Sequence, residues 1–338
     1  MTDGKLNFAI IGCGAISQRH AIQAASFGRL TASCDIVGEK AVRLAEKYGA
    51  TAYSSVEEML RRENGLDVVA VCTPNGLHAS HTIQALKAGC HVVCEKPMAI
   101  RTEDTVSMMR AAEEAGRHLF VVKQNRFNPP VALVKRMLDE GRMGRVYSLQ
   151  MSGIWNRGVE YYKDSWHGSS DMDGGILFTQ FSHFIDLLYW MFGDIAEVKA
   201  FNGHFADKGN IAFGDTVGVT CRFANGIIGV LHFSINSYRK NMEGSLLIVA
   251  EKATVKIGGQ YLNTLEYLDS VEEWPGLAGI GVSAPANDYG SYQGSMSNHD
   301  KMYQHVAAVI CQGSPNQFGG LEAGKTVEII EKIHRAVV

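Results

Sequence analysis

Between residues 6 and 123 the chain alternates short apolar runs with amphipathic stretches that end on glycine, and few architectures accept that rhythm. Leu6–Ile11 reads as a strand, 15–27 as a helix, 30–35 as a strand and 39–48 as a helix closed by Gly49. Ser55 with Glu58 forms a capping box that opens another helix. The run LDVVAVCTP at 66–74 is apolar without alternation, as a strand covered on both faces must be. Residues 77–88 follow as a helix before Gly89, His91–Cys94 as a strand, Thr102–Ala115 as a helix before Gly116, and 118–123 as a strand. Such repetition predicts a parallel, doubly wound sheet.

In a sheet of that kind the carboxyl ends of the strands face the ligand crevice. Residues 9–17, AIIGCGAIS, leave the first strand and open a helix. Gly12 supplies the tight turn, and Gly14 lets a pyrophosphate approach the helix N-terminus, where Ala15 and Ile16 stand; Ser17 is small enough for the third position of G-x-G-x-x-G. Asp35 ends the second strand at the spacing expected for a carboxylate on an adenosine ribose. It accepts from a 2′-hydroxyl and repels a 2′-phosphate, which favours NAD over NADP, with Lys40 moderating the preference. The alternative for Asp35 is a plain turn cap.

Thr73, Pro74, Asn75 and His78 in CTPNGLH also follow a strand end. They face a cofactor, or they form a Pro-Asn-Gly turn with His78 at a helix start; both readings stand. Lys96, at the end of the next strand, is either a surface lysine paired with Glu95 or a base beside a nicotinamide, its pKa drawn toward neutrality. Pro97 fixes the backbone after it, and a cis bond there suits a strand-end turn.

After Asn125 the pattern changes. Pro129 and Pro130 begin one more helix. Long alternating runs then predict a mainly antiparallel sheet, with Asn225-Gly226 as a type I′ hairpin turn. Residues 275–298 read as a long surface loop, and helices at 299–311 and 321–337 close the chain. The expected division is an NAD-binding domain at 1–124 and a substrate-binding and oligomerisation domain at 125–338. Val217, Val219, Cys221 and Phe223 alternate along one strand and mark an open sheet face for a homodimer or homotetramer contact.

Across 338 residues the net charge is −3 and no basic run suggests nucleic acid; no apolar stretch approaches the length of a membrane span. The seven cysteines read as reduced thiols, mostly in the core, of a cytoplasmic protein. Cys90 and Cys94 lie on a strand about 13 Å apart, too far to share a metal, and no metal is expected.

The segments GCGAIS, Asp35, CTPNGLH and EKP at these separations resemble the glucose–fructose oxidoreductase / inositol dehydrogenase (Gfo/Idh/MocA) family along essentially the whole chain. The resemblance implies that Lys96 is catalytic at the nicotinamide, that Glu95 and Asn125 join the cofactor residues, and that His183 in DGGILFTQFSHFID is the catalytic histidine, oriented by Asp186. Many sugar dehydrogenases of the family carry Asp where Thr179 stands, so Lys96 and His183 must handle the proton here. The narrower likeness is to the UDP-N-acetylglucosaminuronate 3-dehydrogenase branch, through QNRFNP at 124–129, Gln180 and the Arg157, Tyr162 and Trp166 region. It implies Arg126, Arg157, Tyr162, Trp166, Thr179 and Gln180 as substrate residues, although Tyr162 and Trp166 equally suit core packing. Phe181 replaces a glycine; it either narrows the pocket or packs inward. His299 and Tyr303 receive no role, and His81 reads as helix surface. An NAD-dependent sugar or nucleotide-sugar oxidoreductase is expected. A glycosidase using NAD internally and a non-catalytic dinucleotide sensor remain open.

Overall fold

The computed structural model describes residues 5–209, 211–271, 283, 285–288 and 293–338. Packing divides the chain into two compact units.

The first unit holds residues 1–123 and 299–327. Its six-stranded sheet runs in the order β3-β2-β1-β4-β5-β6. The strands are β1 Leu6–Ile11, β2 Gly28–Cys34, β3 Thr51–Tyr53, β4 Val68–Val71, β5 His91–Cys94 and β6 Leu119–Val121. Every pairing is parallel. Helices α1 Ser17–Phe27, α2 Gly38–Tyr48, α3 Val56–Arg62, α4 His78–Lys87 and α5 Thr102–Ala115 connect them. The three-residue β3 escaped the sequence reading because it carries no apolar run. Gly49 and Gly116 close α2 and α5 in the left-handed conformation, and the Ser55 hydroxyl accepts the Glu58 N–H, as their positions predicted.

The expected split at 124 places everything beyond it in one domain. The penultimate helix departs from that division: its Tyr303, Val306 and Val309 pack into the core built by Phe8, Ile10, Val93 and Phe120. An amphipathic pattern shows which face of a helix is buried, and says nothing of which sheet covers it.

The second unit holds 124–298 and 328–338. It opens with α6 Pro129–Asp139 and contains a seven-stranded sheet in the order β13-β12-β11-β7-β10-β9-β8. These strands are β7 Val146–Ile154, β8 Ile195–Gly203, β9 Thr216–Phe223, β10 Ile228–Ser234, β11 Glu243–Ala250, β12 Ala253–Gly258 and β13 Thr264–Ser270. Only β7 and β10 pair in parallel. The short helices α7 Val159–Tyr162 and α8 Ile176–Thr179 precede α9 Ser182–Phe192. A two-stranded pair, β14 Ala286–Asp288 with β15 Gln293–Met296, occupies part of the expected 275–298 loop; the rest of that segment lies largely outside the described residues. Helices α10 His299–Gln312 and α11 Gly320–Arg335 end the chain.

Two expectations in this unit are corrected. Asn225-Gly226 joins β9 to β10, but only Gly226 has positive φ, at 91°, whereas a type I′ turn needs both central residues there. The Gly226 N–H instead bonds the Phe223 carbonyl, so the turn begins one residue earlier. Val217, Val219, Cys221 and Phe223 are buried within the unit and do not form the open face. Their neighbours Thr220 and Arg222 are exposed, together with Ile228, Val230 and Val249 in register with them across the sheet. Alternation identifies two faces, and the more apolar one is the one that packing claims first.

Candidate active site

Because the first sheet is wholly parallel, Gly12, Asp35, Thr73 and Lys96 all leave strands at one edge. Gly12 has φ 89°, and a Cβ there would stand 2.7 Å from the Cys72 carbonyl and the Thr73 nitrogen; no side chain fits. A Cβ on Gly14 would meet nothing within 4 Å, which leaves the approach to the start of α1 open, with Ala15 exposed and Ile16 half-buried. Ser17 is buried and donates its hydroxyl hydrogen to the Gly14 carbonyl at 2.6 Å. The Asp35 carboxylate accepts the Cys13 N–H at 2.7 Å and the Val37 N–H at 2.8 Å. It thus caps its own turn and also steadies the glycine loop, and a carboxylate keeps further lone pairs for a ribose.

The β4 and β5 ends are tied together by His78. Its Nδ1 lies 2.7 Å from the Pro97 carbonyl oxygen and its Nε2 2.8 Å from that of Thr73. A neutral ring can donate to only one of these at a time. Burial pushes the His78 pKa down, against the pull of the two carbonyls and Glu95. His81 is also more than helix surface: its Nδ1 sits 3.2 Å from the Thr73 hydroxyl. Asn75 is buried and Pro74 half-buried at the same turn.

Lys96 is half-buried and precedes a cis Pro97. Glu95, expected at the cofactor, turns inward. Its Oε1 accepts from His20 at 2.8 Å and from His299 at 3.3 Å, and its Oε2 accepts the Lys96 N–H at 3.0 Å. Burial alone would raise the Glu95 pKa; the two imidazoles outweigh it and hold the carboxyl well below its usual range.

In the second unit His183 lies buried in the first turn of α9, after Gly174 and Gly175 with φ 80° and 110°. Asp186, expected to orient His183, receives a buried bidentate pair from Arg126 at 2.8 Å for each bond. Arg126 was read as a substrate ligand; the Asp186 carboxylate claims its fork. Arg157 likewise is bound within the protein, donating to the Asn156 and Gln293 carbonyls and to the Asn241 side chain. Its own carbonyl accepts from the buried Lys208 ammonium at 2.6 Å.

Thr179 donates its hydroxyl to Asp173, a fully buried carboxylate that also accepts the Gly168 N–H. The acid absent from position 179 therefore stands beside it from another position. Phe181 packs inward: it stacks on Phe233 at 4.9 Å and fills the space over Gly153, where a Cβ would lie 2.5 Å from its ring. Trp166 is half-buried against His167, 3.9 Å between ring centroids. Several buried polar atoms have no hydrogen-bond partner among the described residues: both amide atoms of Asn125, Oε1 of Gln180 and the Tyr162 hydroxyl. Groups of this kind await a ligand or water.

Comparison with known proteins accords with this geometry. Residues 6–123 match the oxidoreductase family with an NAD-binding Rossmann fold, GFO/IDH/MocA, and residues 131–256 match the C-terminal domain of the same family. The chain belongs to the GFO/IDH/MocA oxidoreductases. Among solved structures of this family, it is similar to the WlbA dehydrogenase of Chromobacterium violaceum in complex with NADH and UDP-GlcNAcA. The likeness is 34% identity, a TM-score of 0.89, 99% of this chain and 94% of that one. The WlbA dehydrogenase of Bordetella pertussis, also with NADH and UDP-GlcNAcA, gives 33% identity and a TM-score of 0.87 over 98% and 96%. The D-glucoside 3-dehydrogenase of Escherichia coli is 34% identical over 62% of this chain, and the match spans 60% of that relative's length.

GFO/IDH/MocA motifs exposed Gly12, Asp35, Lys96 and His183 to sequence reading because each stands at a fixed offset from an element end. His20, Asp173 and Asn241 escaped it. A histidine inside a helix and an aspartate in a loop carry no local signal of the partners that folding brings them.

Proposed function

We propose that the chain oxidises a ring hydroxyl of a nucleotide-linked uronic acid or amino sugar at C3, with NAD as hydride acceptor. The observation that carries the reading is the strand-edge cradle: Gly12 pressed against Cys72 and Thr73 while the space over Gly14 stays open. A dinucleotide needs that close backbone approach, and a plain surface turn has no use for it. The buried amide of Asn125, with no protein partner among the described residues, supports a bound ligand on the same reading. Gly14, Ala15 and Ile16 would receive the pyrophosphate, Asp35 the adenosine ribose, and Thr73, Pro74, Asn75 and His78 line the β4 turn. When bound, NAD accepts the hydride at its nicotinamide ring.

Lys96 takes the hydroxyl proton and His183 hydrogen-bonds the developing alkoxide. Thr179 cannot share that work, since a hydroxyl is no general base near neutral pH; its hydrogen goes to Asp173. Gln180, Tyr162 and Trp166 contact substrate. The internal bonds of Arg126 and Arg157 make them supports for the pocket wall. The nucleotide-sugar class rests on the likeness to the two WlbA dehydrogenases.

Replacing Lys96 by Met tests the reading. Turnover followed at 340 nm with UDP-N-acetylglucosaminuronate should fall about 10²- to 10⁴-fold, as loss of a general base does, while NADH affinity stays within threefold. Turnover that survives K96M refutes the role. Sugar release without net NADH accumulation points to the glycosidase alternative.

A second copy of the chain is proposed to cover the open face of the seven-stranded sheet. The apolar centre is Ile228, Val230, Leu247 and Val249, flanked by the pairs Arg222–Glu197 and Lys256–Glu266, so the flanks carry charges of both signs, as a self-complementary face requires. No helix of the described residues is long and apolar enough to cross a membrane. Six of the seven cysteines are buried free thiols, which supports a reducing, cytoplasmic setting.

A further inference from the structure

We infer that Glu95 is a positioning residue for Lys96, anchored by a relay of Tyr303, His20 and His299, and that it is not a ligand of the cofactor. The inference rests on the catalytic reading of Lys96.

Four residues of the first unit meet here, from two helices and one strand end. Tyr303 and His299 come from α10, His20 from α1, and Glu95 directly follows β5. All four are at most 4% exposed. The proton assignments follow from the contacts. Tyr303 Oη lies 2.8 Å from His20 Nδ1; burial pushes the phenol pKa well up, so the phenol keeps its proton and donates. His20 Nδ1 is then the acceptor and Nε2 carries the hydrogen, which it gives to Glu95 Oε1. His299 Nε2 donates to the same oxygen. The Lys96 N–H donates to Oε2. Each hydrogen in this chain is used once.

Burial lowers the His20 pKa more than Glu95 raises it, so a neutral ring agrees with the hydrogen-bond order. The rings pack edge-on, His20 to His299 at 5.2 Å and His20 to Tyr303 at 5.7 Å between centroids, so the imidazoles cannot turn freely. Both Glu95 oxygens therefore point into protein. Successive residues leaving a strand project to opposite sides, so an inward Glu95 turns Lys96 outward. The carboxylate fixes the backbone of the lysine by a direct bond and joins it to α1, the helix whose N-terminus the glycine loop opens. The other titratable groups facing Glu95 are Cys72, Cys94 and His78. Burial pushes both thiols up and His78 down, so none competes for its charge near neutrality. The three ligand atoms of His20, Glu95 and His299 lie close enough to hold a metal ion, but the hydrogen bonds above already satisfy Glu95.

The experiment compares Glu95→Gln, Tyr303→Phe and Lys96→Met with the parent protein. NADH affinity is read by fluorescence, kcat at saturating NAD and sugar nucleotide, and kcat as a function of pH. Glu95→Gln should lower kcat at least tenfold with NADH affinity within threefold, and Glu95→Asp should recover part of the loss. Tyr303→Phe removes one oxygen and should fold. It should lower kcat several-fold and displace the pH profile, because the His20 tautomer is no longer fixed. A tenfold loss of NADH affinity with unchanged kcat in Glu95→Gln would make Glu95 a cofactor ligand and overturn the inference. So would stoichiometric metal in the purified protein, or a Tyr303→Phe protein with the parent kcat and pH profile. If Lys96→Met itself turns over, the functional reading has failed first, and the two failures are told apart.

Discussion

Gly12 shows how far one residue can be read without a structure. Its place after an apolar run predicted a tight turn, and its φ of 89° with backbone atoms 2.7 Å from any Cβ is that turn. Gly12→Ala should lower the melting temperature and weaken NADH binding at least tenfold, because the Cys72–Thr73 backbone must retreat or the loop must open; calorimetry and fluorescence titration check the two. Gly14→Ala, with open space around its Cβ, should leave the melting temperature within a degree or two and affect NADH binding alone. The contrast separates a glycine needed by the fold from one needed by a ligand. Arg126 and Glu95 were not legible in the same way. A charged residue beside a motif reads as free to bind, whereas Asp186 and His20, distant in sequence, claim those charges in the fold.

At the level of elements, periodicity located most of the longer strands and helices, since burial on one face or on both leaves its period in the sequence. It failed where the signal was short, at β3, α7, α8 and the β14–β15 pair read as loop, at β13, which buries no residue, and where the choice lay between two faces of one strand. The face of β9 with Val217, Val219, Cys221 and Phe223 is more apolar and is packed inside the unit. The face beside it carries Thr220 and Arg222, and its apolar residues come from β10 and β11. If a second copy covers that face, Val230→Lys should convert a dimer or tetramer to smaller species by light scattering. The buried-face change Val219→Lys should instead destabilise the fold by several kcal/mol, as an unpaired buried charge does. A parent chain that is monomeric at micromolar concentration, or a Val230→Lys protein of unchanged mass, refutes the interface.

Taken across a whole unit, the buried histidines act together on acid stability. In the first unit burial lowers the pKa of His20, His78, His81 and His305, and that of His91 to about 4. Each binds its proton less readily folded than unfolded. Its contribution is complete above the unfolded value near 6.5 and is lost as pH falls below that. Glu95 acts at lower pH with the same sign. Its folded pKa is depressed well below 4.5, so the stability it supplies is present above 4.5 and is lost as pH falls further. The expected curve is therefore level from pH 8 to 7, declines from 6.5 downward, and steepens below 4.5. Denaturant melts at pH 7.5, 6.0, 5.0 and 4.0 trace it. Glu95→Gln is the control that assigns the last part. A glutamine has no charge to lose, so its curve should keep the histidine slope between 6.5 and 5 and lack the added loss below 4.5. A parent curve that is flat from 7.5 to 5 would mean that these rings take up protons over the same pH range folded as unfolded, and the neutral His20 on which the Tyr303 relay depends would go with it.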